Sequence, residues 1–189
     1  MRRARATPDL ERIVSMLIGQ RVCLGPMLNS DAGIIFNWHN TTEVMHLDGL
    51  YRPVSQGNFD EWFGSIGRDP SRVVFSIRKQ GDLSLIGYVQ ITNIHPVFRS
   101  AEMGIMIGDP ENRGKGYGQE ALRLCIEFGW RELNLNRLAL MIVGDNGVAQ
   151  AAYRKAGFQV EGVLKRAVFI NGKFRDTTVM GLLAPESVS

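Results

Sequence analysis

Between Ala121 and Leu133 the apolar residues Ala121, Leu122, Cys125, Ile126, Gly129, Trp130 and Leu133 recur every three to four positions. That spacing predicts an amphipathic helix with one buried stripe. Asn146 to Ala156 repeats the pattern with Val148, Ala149, Ala152, Tyr153 and Ala156 along one side, and Gly157 stands where a C-terminal cap belongs. Residues 21–28, 73–77, 85–94, 101–107, 137–143, 160–169 and 174–183 read as strands, with turns at Gly81-Asp82 and Asn171-Gly172. Shorter helices are predicted over 31–39, 42–49 and 58–66. Near the start, Thr7-Pro8 followed by Leu10, Ile13, Val14, Leu17 and Ile18 predicts a helical extension over residues 1–20. A single domain over 21–184 follows, of mixed α/β class, with strand–loop–helix–strand–helix at its centre.

Chemistry concentrates between Glu102 and Gly118. An apolar strand runs into Gly108-Asp109-Pro110, then Arg113-Gly114-Lys115-Gly116-Tyr117-Gly118 leads into the clearest helix of the chain. Free backbone N–H groups at a helix start form a phosphate cradle, and glycines let the ligand approach closely. Arg113 and Lys115 add positive charge there. A nucleotide-hydrolysing P-loop requires Gly-x4-Gly-Lys followed by Ser or Thr. Here Gly108 lies one residue too far away, and Gly116 takes the place of the hydroxyl. A dinucleotide fingerprint requires Gly-x-Gly-x-x-Gly in an early βαβ unit, whereas this loop is Gly-x-Gly-x-Gly and late in the chain.

Composition narrows the function classes. The 189 residues, 44% hydrophobic and 22% charged, fit one globular domain. The net charge of +3 owes part of its excess to Arg2, Arg3 and Arg5. No basic stripe interleaved with aromatics appears elsewhere, which argues against nucleic acid as a partner. No apolar run reaches the roughly 18 residues of a membrane span, and no signal-peptide core follows the basic start. The expected location is cytoplasmic. Cys23 and Cys125 read as buried thiols, and His39, His46 and His95 have no metal-ligand spacing, so no metal is expected.

The spacing Arg113-x-x-Gly116-x-Gly118 resembles the acetyl-CoA pyrophosphate loop of the GNAT N-acetyltransferases. Asn146-x-x-Ala149-x-x-x-Tyr153-x-Lys155-x-Gly157-Phe158 resembles the second acetyl-CoA signature of that superfamily. The ending, Glu161-Gly162-Val163-Leu164-Lys165 with Asn171-Gly172-Lys173-Phe174-Arg175-Asp176, is similar to the branch containing spermidine acetyltransferases and the acetyltransferases of ribosomal-protein N-termini. The resemblance implies a GNAT fold, a twisted, mostly antiparallel mixed sheet of about seven strands flanked by helices. It implies acetyl-CoA as cosubstrate and a small-molecule or peptide amine as acceptor, and it leaves a homo-oligomer open. It also implies that backbone groups of Met106 and Ile107 align the pantetheine in a splayed gap. N–H groups of Gly114, Lys115, Gly116, Tyr117 and Gly118 would hold the pyrophosphate, and Asn146 the pantetheine arm. Two features depart from that branch. Leu24-Gly25-Pro26 lacks its usual arginine, and Trp38-His39-Asn40 with Phe59-x-x-Trp62-Phe63 is nearer to members that acetylate amino sugars on nucleotides.

Direct acetyl transfer needs a neutral amine and a proton for the leaving thiolate. A lysine-like amine of pKa about 10.4 is neutral in only about one part in 2,500 at pH 7, a cost near 4.6 kcal/mol. Glu102, eleven residues before Arg113 as in the histone-acetylating members, is the candidate base; an ordinary strand-edge charge is the alternative. Tyr153, by resemblance beside the cofactor sulfur, is the candidate acid. Trp38, His39, Glu43, Trp62 and the 95–100 loop are candidates for the acceptor site. A competing reading is a catalytically inactive CoA- or polyamine-binding module.

Overall fold

Alternating apolar residues in residues 73–79 send Val74 to one buried cluster and Phe75 and Ile77 to another, so this strand is covered on both faces. The structure, a computed structural model, describes residues 15–47 and 52–186. Among these, eight strands form one sheet: β1 (Leu17–Ile18), β2 (Val22–Gly25), β3 (Val73–Lys79), β4 (Leu85–His95), β5 (Ser100–Ile107), β6 (Arg137–Val143), β7 (Gln159–Ile170) and β8 (Lys173–Leu183). Their order is β1-β2-β3-β4-β5-β6-β8-β7. Every neighbouring pair is antiparallel except β5 and β6. The helices are α1 (Ala32–His39), α2 (Thr42–Leu47), α3 (Gln56–Ser65), α4 (Tyr117–Arg131) and α5 (Gly147–Lys155).

The two faces carry different cores. Helix α4 lays Ala121, Leu122, Cys125, Ile126 and Trp130 on Phe75, Ile77, Val89, Ile91 and Met103. Helices α1 to α3 cover the opposite face with Ile35, Trp38, Val44 and Phe59, against Val74, Tyr88 and Met106. A buried ion pair supports this second face: Arg78 Nη2 donates to both oxygens of Asp31, at 2.7 and 2.5 Å. Removing one partner of such a pair typically costs about 3–5 kcal/mol, because the other charge stays buried alone.

The sheet has one strand more than the seven expected. Leu17 and Ile18, expected on a helical face, instead pair with Leu24 and Cys23 as β1. Two adjacent apolar residues fit either period, and the tie is broken at a distance. Glu120 of α4 accepts the N–H groups of Gln20, Arg21 and Val22 at 2.6, 2.8 and 3.2 Å, which fixes the turn that folds β1 onto β2. Thr7 to Val14, the rest of that expected helix, lie outside the described residues, as do residues 48 and 49 of the expected 42–49 helix.

The closing hairpin follows its turn chemistry. Asn171 and Gly172 have φ of 51° and 72°, the two positive angles that a two-residue hairpin turn of matching twist requires. Register shifts between Val160 and Gly162, and again between Leu164 and Val168, bulge the outer strand β7.

Candidate active site

Strands β5 and β6 pair only through Ser100–Arg137, Ala101–Leu138 and Glu102–Ala139. Beyond that rung they part. β5 stays with β4 as far as Gly87–Ile107, while β6 stays with β8 as far as Val143–Thr177. A V-shaped gap therefore opens between Met103–Ile107 and Leu140–Val143, with backbone edges facing into it. Such edges accept an extended chain as a further strand. Met106 and Ile107 are the last two residues of β5 along this edge. The carbonyl of Ile107 also accepts Arg113 Nε at 3.1 Å, leaving one of its two lone-pair positions.

At the wide end of the gap the chain turns through Asp109 and Pro110 into the glycine loop. Gly114 and Gly116 have φ of 70° and 83°, and Gly116 is the N-cap of α4. A glycine cap has no side-chain oxygen, so the first N–H groups of α4 receive no capping bond. This leaves them for an anion, in addition to the positive end of a 15-residue helix. A Cβ at Gly118 would touch the side chains of Ile105 and Ile107, so the helix start lies close to the end of β5.

The two loop cations behave differently. Arg113 donates to the carbonyls of Ile107 and Gly108, at 3.1 and 2.9 Å, and pairs with Glu43 of α2. Its guanidinium thus fastens the loop to β5 and α2, a positioning role that the spacing alone could not distinguish from phosphate contact. Lys115 is exposed. Its carbonyl accepts Arg21 Nη1 at 2.9 Å, so a cation from the β1–β2 turn lies across the loop. Neither Arg21 nor the nearby Lys79 belongs to any motif, and only the strand register brings them here.

Asn146 caps α5, its Oδ1 accepting the N–H of Ala149 at 3.0 Å. That bond orients the side chain and leaves the amide N–H₂ as its donor. On the sheet-facing side of α5, Tyr153 is 7% exposed and meets Phe158 edge to face, with centroids 5.5 Å apart. Ala149 and Ala156 flank it in the same core. Glu102 is exposed and lies on the last paired rung, between Thr92 and Ala139, at the apex of the gap. Strand alternation gives it the same face as Gly104 and Met106.

That face also carries the aromatic cluster over β4. His39 shares a 3.0 Å hydrogen bond with the Tyr88 hydroxyl and has Phe59, Trp62 and Tyr88 within 6 Å between ring centroids. Burial holds its pKa below the usual histidine value, favouring the neutral ring. Of the other acceptor-site candidates, Trp38 is buried and donates its indole N–H to Asp109 at 3.1 Å, and Glu43 pairs with Arg113. At the 95–100 turn His95 stacks on Phe98, with centroids 4.1 Å apart, and Val97 and Phe98 are exposed. Cys125 is fully buried, and burial pushes its thiol up to about 12, far from thiolate chemistry. Among the described residues no group of three or more potential ligands could hold a metal, and no helix is long and apolar enough to cross a membrane.

The acetyltransferase (GNAT) domain model matches residues 21–159. The spermidine N(1)-acetyltransferase of Escherichia coli (strain K12) is 38% identical over 112 residues, which are 59% of this chain and 59% of that enzyme. The chain therefore matches less than two thirds of the length of that relative. The spermidine N(1)-acetyltransferase of Vibrio cholerae serotype O1 is 35% identical over 166 residues, covering 88% of this chain and 95% of the relative. A crystal structure of the Vibrio cholerae spermidine N-acetyltransferase in complex with CoA and spermine superposes with a TM-score of 0.79 at 28% identity, over 86% of this chain and 95% of that one.

Proposed function

Since the chain belongs to the acetyltransferase (GNAT) domain family, we propose that it transfers an acetyl group from acetyl-CoA to a primary amine, with polyamines as the preferred acceptor class. The observation that carries this reading is the gap between β5 and β6 with an uncapped helix start at its mouth. Pantetheine lies along Met106 and Ile107, the pyrophosphate on the N–H groups from Gly114 to Gly118, and the Asn146 amide on the pantetheine arm. The acceptor approaches from the face of β4 and β5 that carries Tyr88, Gln90 and Glu102. Spermidine acetylation by the Escherichia coli and Vibrio cholerae relatives supports a polyamine over a protein N-terminus or an amino sugar.

The amine attacks the thioester carbonyl directly in a ternary complex. Its nitrogen forms the new C–N bond as the C–S bond breaks, and the amine proton passes through water to Glu102. Tyr153 gives its phenolic proton to the departing thiolate. A phenol of reference pKa about 10 stays neutral until the thiolate forms, which suits it to that step. Cys125 takes no part. Residues 21–184 make up the catalytic domain, to whose sheet the preceding segment contributes β1. The protein acts in the cytoplasm without nucleic acid or membrane, and a homo-oligomer is compatible with this site.

Release of free thiol from acetyl-CoA, followed across spermidine, spermine, amino-sugar nucleotides and peptide N-termini, tests the assignment. A polyamine should give the highest kcat/KM. Fastest turnover with a peptide or sugar would move the acceptor class. Binding of CoA and polyamine with no thiol release from any acceptor would identify an inactive binding module instead.

A further inference from the structure

A recess of about 370 Å³ opens beside the glycine loop, on the side away from the β5–β6 gap, lined by Gln20, Arg21, Lys79, Gln80, Lys115 and Tyr117. Three of these six residues are cations and none is acidic. The cations are held together rather than left to separate. The Arg21 backbone donates to Glu120 at 2.8 Å and accepts the Gln80 N–H at 2.8 Å, and its guanidinium reaches the Lys115 carbonyl at 2.9 Å. Gln80 Nε2 donates to the Gly19 carbonyl at 3.2 Å, tying the β3–β4 turn to the same corner. Lys79 is paired in register with Val22, and its Nζ lies 6.0 Å from the centre of the Tyr117 ring.

Like charges fixed side by side repel unless an anion joins them. Glu120 is turned to the backbone of the β1–β2 turn, where its oxygens accept the Gln20, Arg21 and Val22 N–H groups, and it forms no ion pair with these three side chains. Among the described residues Lys79 and Lys115 have no carboxylate partner. Among the described residues, then, no carboxylate closes this cluster, and a bound anion would. CoA carries three phosphates, and the third is on the 3′ position of the ribose whose 5′ position bears the pyrophosphate. A pyrophosphate held on the loop would bring that 3′-phosphate within reach of the loop's flanks, and the recess shares Lys115 and Tyr117 with the loop. A phosphate monoester carries a charge of about −1.5 to −2 at pH 7 and three acceptor oxygens, a match for three converging cations. We propose that Arg21, Lys79 and Lys115 form the seat of the CoA 3′-phosphate, by which the protein selects CoA over its 3′-dephospho form. This rests on acetyl-CoA occupying the glycine loop.

Calorimetry with CoA and 3′-dephospho-CoA tests the proposal on the full chain. The unmodified protein should bind CoA about tenfold or more tightly than the dephospho form, the scale of one or two charge-assisted contacts. Lys79→Met should weaken CoA about tenfold while changing dephospho-CoA by less than about twofold, so that the preference collapses. Arg21→Met should do the same, with an added loss shared by both ligands because its bond to the Lys115 carbonyl goes too. Equal affinity of the unmodified protein for the two ligands would overturn the seat, as would a Lys79→Met defect of the same size for both. Binding of neither ligand would overturn the cosubstrate reading itself, which is a distinguishable failure.

Discussion

The loop at the start of α4 and the aromatic cluster under α1 and α3 lie on either side of β5, and they are built from different parts of the chain. The loop presents backbone: N–H groups freed by a glycine cap, in a conformation set by φ at Gly114 and Gly116. The cluster presents side chains, His39, Phe59, Trp62 and Tyr88, gathered from α1, α3 and β4. Backbone recognition suits a ligand part that never changes, such as a pyrophosphate. Side-chain recognition can be altered one residue at a time, which suits the variable partner in a family whose members differ in acceptor.

The sharpest break of this contrast is at Gly116. Valine there must adopt a φ of 83° that β-branched residues avoid, with its Cβ only 2.7 Å from Arg21 Nη1. Gly116→Val should weaken acetyl-CoA by about 10²-fold or more in a protein that still unfolds cooperatively. Unchanged affinity by calorimetry would show that the loop backbone does not hold the cofactor.

At Tyr153 the proposed mechanism gives a side chain a part in the cofactor half of the site. Tyr153→Phe retains the ring against Phe158 and removes the proton. Turnover should fall about 10²-fold, near 2.7 kcal/mol in the barrier, with acetyl-CoA affinity changed less than about threefold. The defect should shrink with a thioester of a more acidic thiol; near-normal turnover when chemistry limits the rate would remove this residue from the mechanism. Glu102→Gln should lower kcat/KM for a polyamine by up to about 10²-fold at pH 7, recovering as pH rises and the amine deprotonates unaided. A loss of one size at every pH would assign the carboxylate a structural role.

The smallest expected effect is on stability, at His39. Its pKa is lowered by burial, so as pH falls the unfolded chain takes up the proton first. That contribution is present above about pH 6.5 and is lost as pH drops from there toward the lower folded value. Urea midpoints should decline over that window in the unmodified protein and decline less in His39→Gln. Identical slopes would mean that the imidazole is solvated in the native state.

Helix α4, strand β6 and the Asn171-Gly172 hairpin were legible because each is specified locally, by a 3.6 period, a bounded apolar run or a turn dipeptide. The glycine loop was legible for the same reason: its left-handed turns at Gly114 and Gly116 force glycine into the sequence. What was not legible depends on contacts across the chain. Leu17 and Ile18 become a strand through Glu120, about a hundred residues away. The contacts of Arg113 with Glu43 and two carbonyls could not be read from its spacing. Arg21 and Lys79 meet Lys115 only through strand register, and the Asp31–Arg78 pair joins residues 47 apart with no motif around either.

Strand β7 ends the sheet with one backbone edge unpaired among the described residues, and it exposes Val163 and Leu164. An even ladder of that length would be an invitation to unlimited growth, chain upon chain. The two bulges break it into short stretches out of step with one another, and Lys165, which pairs with Asp176, sits within the second bulge. A further strand laid along β7 would lose register twice within twelve residues and desolvate charge as it did so. The irregularity of this edge thus acts as a solubility device, letting the protein keep an apolar outer hairpin without nucleating fibres.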